Sequence, residues 1–222
     1  VLMKRIVNFI LKLLLRIICK IDASELEKIP DQGPLIVVAN HVNFLDAPVV
    51  ISHLDPRPTT GLAKKETWDN PLMAALFNIW GGIPIDRDIA DFSAFRKAKE
   101  ALDEGKILAV APEGTRSHDG RMVRGKPGIA LLAHKSDVPI LPMAYYGHEN
   151  FSENIKRLKR TPMHIRVGKP IRLRLPARPD KEILQTATDA IMLRVAALLP
   201  EAYRGYYEEI ALEDHDFLEP VG

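Results

Sequence analysis

Pro34-Leu35-Ile36-Val37-Val38-Ala39, running directly into Asn40-His41-Val42-Asn43-Phe44-Leu45-Asp46, decides how this chain is read. The first six residues are an apolar run of strand length, as expected for a strand buried on both faces of a sheet. Asp46-Ala47-Pro48 then reads as a helix start, with proline in its first turn. On a regular helix, the spacing between His41 and Asp46 turns through about 500°, so imidazole and carboxylate would point to different faces. They can meet only at a strand-to-helix corner. That corner would hold the imidazole at the carboxyl end of a strand, where α/β sheets bind ligands. The same residues also suit a plainer account, with Asp46 as a helix N-cap and His41 as a hydrogen-bonded corner residue.

Three further clusters follow: Gly81-Gly82-Ile83-Pro84-Ile85-Asp86-Arg87, Val110-Ala111-Pro112-Glu113-Gly114-Thr115-Arg116-Ser117 and Val138-Pro139-Ile140-Leu141-Pro142-Met143-Ala144. Together the four blocks resemble the glycerolipid acyltransferase superfamily, whose best-known members are lysophosphatidate acyltransferases. Its signatures N-H-x-x-x-x-D, G-x-I-x-I-x-R, E-G-T-R and V-P-I-x-P are matched here in that order, within residues 33 to 175. The activity implied is transfer of a fatty acyl group from an acyl thioester, acyl-CoA or acyl carrier protein, to a glycerophosphate hydroxyl. The expected acceptor is 1-acylglycerol 3-phosphate, with glycerol 3-phosphate, other lysophospholipids and lyso-ornithine lipids as alternatives.

The residue types suit that chemistry. An attacking alcohol must lose its proton, and an imidazole with an ordinary pKa near 6.5 is the side chain best placed to accept it at neutral pH. His41 is the expected base, and Asp46, bonded to the far ring nitrogen, would fix its tautomer as in serine hydrolase triads. The substrate hydroxyl stands in the place of serine, so no covalent acyl-enzyme is required, and no serine lies in a G-x-S-x-G elbow. A phosphate on the acceptor calls for cations at a turn, and Arg116 is the first candidate. The resemblance puts this acceptor near Glu113-Gly114-Thr115-Arg116 and adds Arg87 and Lys65; for these last two a surface salt bridge is the alternative. Glu113 is assigned to orienting the acceptor or Arg116. Gly114 permits a tight turn that brings the Thr115 and Arg116 amides near the ligand as oxyanion donors. Val138, Pro139, Ile140 and Pro142 are assigned to the acyl channel, a buried strand with an awkward proline being the other account.

The chain of 222 residues, 46% hydrophobic and 27% charged, is large enough for one sizeable core. Its single cysteine, Cys19, excludes an internal disulfide and points to simple packing. The formal charge of +2 hides an asymmetry: residues 1–20 carry five cations and no acid, while residues 201–222 carry seven acids and one arginine. At about 100° per residue, Arg5, Lys12, Arg16 and Lys20 share one arc of a helix over 3–20, and Ile6, Val7, Ile10, Leu11, Leu14, Leu15, Ile17 and Ile18 cover most of the rest. This reads as a membrane-interface helix, the alternative being a helix packed on the domain's own sheet. The uncharged stretches fall far short of the about 20 residues that span a bilayer, and no signal-peptide core is present. The expectation is a peripheral, monotopic protein on the cytoplasmic face of the membrane, with an association helix over 1–22 and a catalytic domain over 23–222.

Strands are expected at 34–39, 60–64, 82–85, 106–110, 138–145, 163–167 and 170–174, and helices at 3–20, 47–54, 66–79, 91–103, 127–136, 180–199 and 201–210. Their alternation predicts an α/β fold with a mixed, largely parallel sheet flanked by helices, the antiparallel part falling in 138–174. The acidic tail after Gly205 reads as a solvated end. Gly120 to Lys126 fits P-loop spacing, but Pro127 stands where a hydroxyl must bind magnesium, which excludes a nucleoside triphosphatase. The histidine spacing offers no metal site, and no cofactor beyond the acyl donor is expected. Lys156-Arg157-Leu158-Lys159-Arg160 lacks the interleaved aromatics of a nucleic-acid site, and the expectation for it is a docking face for either acidic donor, coenzyme A or acyl carrier protein. A non-catalytic lipid-binding protein would have no use for the His41–Asp46 corner.

Overall fold

The apolar runs form one mixed, largely parallel sheet in a computed structural model that describes residues 2–87, 89, 91–210 and 217–221. The strands are β1 (Cys19–Asp22), β2 (Leu35–Ala39), β3 (Thr59–Lys64), β4 (Ile83–Ile85), β5 (Ile107–Val110), β6 (Ile140–Tyr146), β7 (Thr161–Val167), β8 (Ile171–Leu173) and β9 (Leu218–Pro220). They lie in the order β1-β7-β6-β2-β5-β3-β4, with β8 pairing β6 and β9 pairing β8. Strand β2 runs parallel to both neighbours, β5 and β6. The antiparallel pairings are β7 and β8 on β6, and β9 on β8, which is the mixed region expected from the sequence.

Period-two alternation sends successive side chains to opposite faces and so builds two cores. On β2, Ile36 and Val38 enter one core, and Leu35, Val37 and Ala39 the other; β6 divides likewise, with Ile140 and Ala144 opposed to Leu141, Met143 and Tyr145. The first core packs under α4 (Phe92–Asp103), α5 (Gly128–Ser136) and α7 (Lys181–Ala196). The second packs under α1 (Leu2–Ile18), α2 (Asp46–His53) and α3 (Pro71–Trp80). A short helix, α6 (Phe151–Lys156), follows the strand β6.

Pro142 sits in the middle of this sheet, an unusual place for a residue without an N–H. Its carbonyl accepts from Gly168 at 2.9 Å, so its nitrogen faces the same neighbour at the turn where β7 gives way to β8. A ladder donor is not needed there. Val138, Ile140 and Pro142 are buried and Pro139 partly so, and its carbonyl accepts from Ile36 at 2.9 Å. The four residues are sheet core and none lines the large cleft described below, which corrects their assignment to an acyl channel.

Local chemistry accounts for the other departures. The helix expected at 66–79 breaks into a 3-10 turn, Lys65–Asp69, and α3, because Pro71 occupies a first-turn position and the Asn70 side chain caps it through the Leu72 and Met73 amides. Helix α1 stops at Ile18, and Cys19 enters β1. Arg160 donates to the carbonyls of Arg16 and Cys19 at 2.6 and 2.7 Å, supplying partners that a helix end leaves wanting. Residues 201–207 form two 3-10 turns in place of a helix. Within the acidic tail, residues 211–216 lie outside the described residues, but 218–220 form a strand rather than a solvated end.

Helix α1 has three faces. Leu15 is buried, Val7, Leu11 and Ile18 turn partly inward, and buried Asn8 bonds Asp55 at 3.2 Å and accepts from the Trp80 indole at 2.9 Å. Arg5, Arg16 and partly buried Lys12 form a second face. The third, about 120° wide, exposes Leu2, Met3, Ile6, Phe9, Leu13 and Ile17 to solvent. Packing on the body thus accounts for one apolar arc of this helix and leaves another uncovered.

Candidate active site

Three parallel strands, β2, β5 and β3, end at the same edge of the sheet, and the loops leaving the first two are stitched together. Ser117 and His118 donate their amides to the carbonyls of His41 and Val42 at 2.9 and 3.3 Å. Asn40, buried at the end of β2, holds the corner to β6 by donating to the Tyr145 carbonyl at 2.9 Å and accepting its amide at 2.8 Å. The turn after β2 is closed by Asn43, whose Oδ1 accepts the Leu45 amide at 2.9 Å.

On this corner His41 Nδ1 and Asp46 Oδ2 lie 2.6 Å apart. Asp46 is the first residue of α2 and does not cap it; its carboxylate reaches back, and Oδ2 also accepts from the Val42 and Asn43 amides at 2.8 and 3.2 Å. Burial pushes this carboxyl up, but the bonds from His148 and His41 outweigh it and leave the carboxyl below its usual range. An ionised carboxylate can only accept, so His41 carries its proton on Nδ1, and Nε2 is the ring nitrogen with a free lone pair. His148, which sequence reading missed, donates from Nε2 to the other oxygen, Oδ1, at 2.6 Å. The signal was its place just after strand β6, beyond the last of the four blocks.

Glu113 is buried beside this corner rather than facing a ligand. Its Oε1 accepts the His41 amide at 2.9 Å and its Oε2 the Val123 amide at 3.1 Å, so both oxygens serve backbone. The structure thereby corrects the assignment of Glu113 to orienting the acceptor or Arg116: it clamps the loops that carry His41. Burial pushes its carboxyl up to about 7, against the pull of the Val123 and His41 amides and with the aid of the Asp46 charge.

Gly114 has φ +67°, a value side chains rarely adopt, and a Cβ there would meet the Lys126 side chain at 3.2 Å. Its carbonyl accepts from half-buried Arg87 at 2.6 Å. Burial and the nearby Arg116 lower the pKa of Arg87 from its ordinary value. Arg116 is exposed, and among the described residues its guanidinium has no hydrogen-bond or ion-pair partner. Thr115 and Arg116 amides likewise make no bond to a described residue. Lys65 pairs with Asp86 at 2.5 Å.

A cleft of about 1670 Å³ opens over the site. It is lined by His41, Asp46, Arg87, Thr115, Arg116 and Lys126, with the carboxylates of Glu66, Asp86 and Asp91. Apolar side chains of α1 and α3, such as Leu11, Leu14, Leu76 and Phe77, line it as well. Among the described residues no cluster of potential metal ligands occurs.

The model of a family described as Acyltransferase matches residues 20–146. A 1-acyl-sn-glycerol-3-phosphate acyltransferase of Limnanthes douglasii is 34% identical over 140 residues, 61% of this chain and 50% of that protein. One of Bacillus subtilis is 26% identical over 189 residues, 85% of this chain and 92% of that protein. The chain thus spans about half the length of the plant relative. The crystal structure of the 1-acyl-sn-glycerophosphate acyltransferase PlsC from Thermotoga maritima shares the fold, with a TM-score of 0.64 and 24% identity over 88% of this chain and 78% of that one.

Glu113 yields a pH prediction. Its native value of about 7 lies above the ordinary 4.5, so between those pH values the folded chain keeps a proton that the unfolded chain has released. Stability from this group is therefore full below about pH 4.5 and is lost as pH rises toward 7. The loss should reach at most about 3 kcal/mol. In urea unfolding across this range, Glu113→Gln should be less stable overall, because an amide nitrogen cannot accept the backbone bond, yet should show a flatter pH dependence. A slope equal to that of the wild type would assign the pH dependence to other groups.

Proposed function

Since this chain belongs to the acyltransferase family, we propose that it moves a fatty acyl group from an acyl thioester to the free hydroxyl of 1-acylglycerol 3-phosphate, giving phosphatidic acid. The observation that carries this reading is the 2.6 Å His41–Asp46 bond in a cleft lined by both cations and apolar side chains. His41 Nε2 takes the proton of the acceptor hydroxyl as its oxygen attacks the thioester carbonyl. Asp46 stabilises the imidazolium that results. Collapse of the tetrahedral intermediate breaks the C–S bond, and the imidazolium returns its proton to the departing thiolate. No acyl group is passed to the protein.

The remaining roles follow from charge. Arg116, without a partner among the described residues, binds the acceptor phosphate; Arg87 supports it while holding the turn through Gly114. The free Thr115 and Arg116 amides are the oxyanion donors. Lys65 contributes at most to the long-range positive field, since Asp86 occupies its ammonium. Acyl-CoA or acyl carrier protein supplies the thioester. In the basic run 156–160, Arg160 is engaged by helix α1 and Lys156 by Glu153, which leaves Arg157 and Lys159 to meet an acidic donor.

No described helix is long and apolar enough to cross a membrane. The uncovered face of α1 instead lies in the interface, its leucine and isoleucine side chains among the acyl chains and its cations toward anionic headgroups. Apolar side chains of the same helix line the cleft, so a lipid acceptor enters without leaving the bilayer surface. Cytoplasmic leaflets, rich in anionic lipid, suit this charge pattern.

Mass-spectrometric product analysis with both donors and a panel of acceptors tests the reading. Phosphatidate should form from lysophosphatidate, and Arg116→Ala should raise KM for it about ten- to a hundredfold while sparing monoacylglycerol. Preferred turnover of glycerol 3-phosphate or another lyso-lipid would reassign the acceptor, and equal damage toward both acceptors would make Arg116 structural.

Vesicle sedimentation tests the helix. Replacing Ile6, Phe9, Leu13 and Ile17 by serine removes exposed side chains only and should abolish most binding to anionic vesicles, with the wild-type protein releasing partly, not wholly, at high salt. Undiminished binding by the folded variant would mean that another surface, such as residues 71–80, meets the membrane.

A further inference from the structure

Asp46 is shared between two imidazoles, and the second has no part in the proton transfer described above. His148 is fully buried, and its Nε2 lies 2.6 Å from Asp46 Oδ1, on the opposite side of the carboxylate from His41. Its backbone carbonyl accepts from the Asn43 side chain at 2.8 Å, so the residue is tied to the corner at two points. Its Nδ1 is buried with no hydrogen-bond partner among the described residues. A proton on Nδ1 would be stranded, whereas a proton on Nε2 meets a carboxylate, so the surroundings select the Nε2–H tautomer.

We propose that His148 is a positioning residue for acyl transfer, a permanent N–H donor that holds the Asp46 carboxylate in the plane and rotamer that present Oδ2 to His41. Without it, Oδ1 is a buried, unpaired charge-bearing atom, and rotation of the carboxylate toward another donor would release the His41 ring from the orientation its Nε2 needs. The bond to Oδ1 also leaves the bond between Oδ2 and His41 Nδ1 as the one through which imidazolium charge is met. Hence the working unit is a chain of three, His41–Asp46–His148, with the outer imidazole donating and never exchanging its proton with substrate. The inference rests on the reading of His41 as the base.

Two measurements separate the inference from that reading. Long-range proton–nitrogen NMR of histidine-labelled wild-type protein should find His148 in the Nε2–H tautomer and a strongly downfield His41 Nδ1 proton. An Nδ1–H tautomer at His148 overturns the proposal, whatever the activity. In steady-state assays His148→Leu should lower kcat about ten- to a hundredfold with little change in either KM, and should shift the His41 proton upfield. His148→Gln, whose amide nitrogen can take the Nε2 position, should restore most of both. A folded His148→Leu with wild-type kcat, or with a raised acceptor KM alone, overturns the proposal. If His148→Leu does not fold, the wild-type tautomer and the glutamine variant decide it. His41→Ala run alongside tests the parent reading: full activity there removes the base, while the spectra still report whether His148 holds Asp46.

Discussion

The carboxylate of Asp46 is only 5% exposed and still ionised, and the rest of the site is arranged around that fact. An isolated charge at such a position would cost several kcal/mol. Four N–H donors close on its two oxygens: the His41 and His148 rings and the Val42 and Asn43 amides. Satisfying them requires the chain to turn sharply after β2, which Asn40 and Asn43 hold in place from either side. It also requires β6 to lie beside β2, because His148 arrives from the end of β6. Parallel pairing of β2 with β5 and β6 is therefore what makes a buried carboxylate tolerable here.

A second carboxylate, Glu113, bears the neighbouring loop in the same way but with the opposite electrostatic outcome. Two backbone amides satisfy Glu113, yet they do not overcome its burial and the Asp46 charge beside it, and its pKa rises. The two acids thus divide the work by environment: Asp46 ionised against imidazoles, Glu113 a backbone clamp whose charge depends on pH near neutrality. The cations Arg87 and Arg116 line the cleft together with apolar side chains of α1 and α3. A substrate with a charged head and a greasy tail fits that lining.

What the sequence disclosed and what it withheld separate by distance along the chain. The His41–Asp46 pair was legible because five residues at a strand end can reach each other only through one kind of turn. The buried strands, the largely parallel sheet and the antiparallel section near 138–174 followed from apolar runs and their spacing. His148 was not legible, since its bond to Asp46 spans 102 residues and depends on which strands are neighbours. The same holds for Arg160, whose cap on α1 spans 144 residues and ends that helix before Cys19. Pro142 misled for a related reason: its tolerance in a central strand depends on the break between β7 and β8, so an apolar, stiff block looked like a channel wall. Pro71 carried a local signal that helix periodicity overrode.

The central claim is that the His41–Asp46 pair removes the acceptor proton while the acyl group moves directly from thioester to lipid. Its most direct test is to follow free thiol and phosphatidate together, from acyl-CoA and lysophosphatidate, in the wild type, His41→Ala and Asp46→Asn. The account predicts equal amounts of thiol and phosphatidate in the wild type. It also predicts that both rates fall together by about 10²–10⁴-fold in each variant, the histidine change being at least as severe. A folded His41→Ala protein that keeps more than about a tenth of the wild-type rate would contradict it.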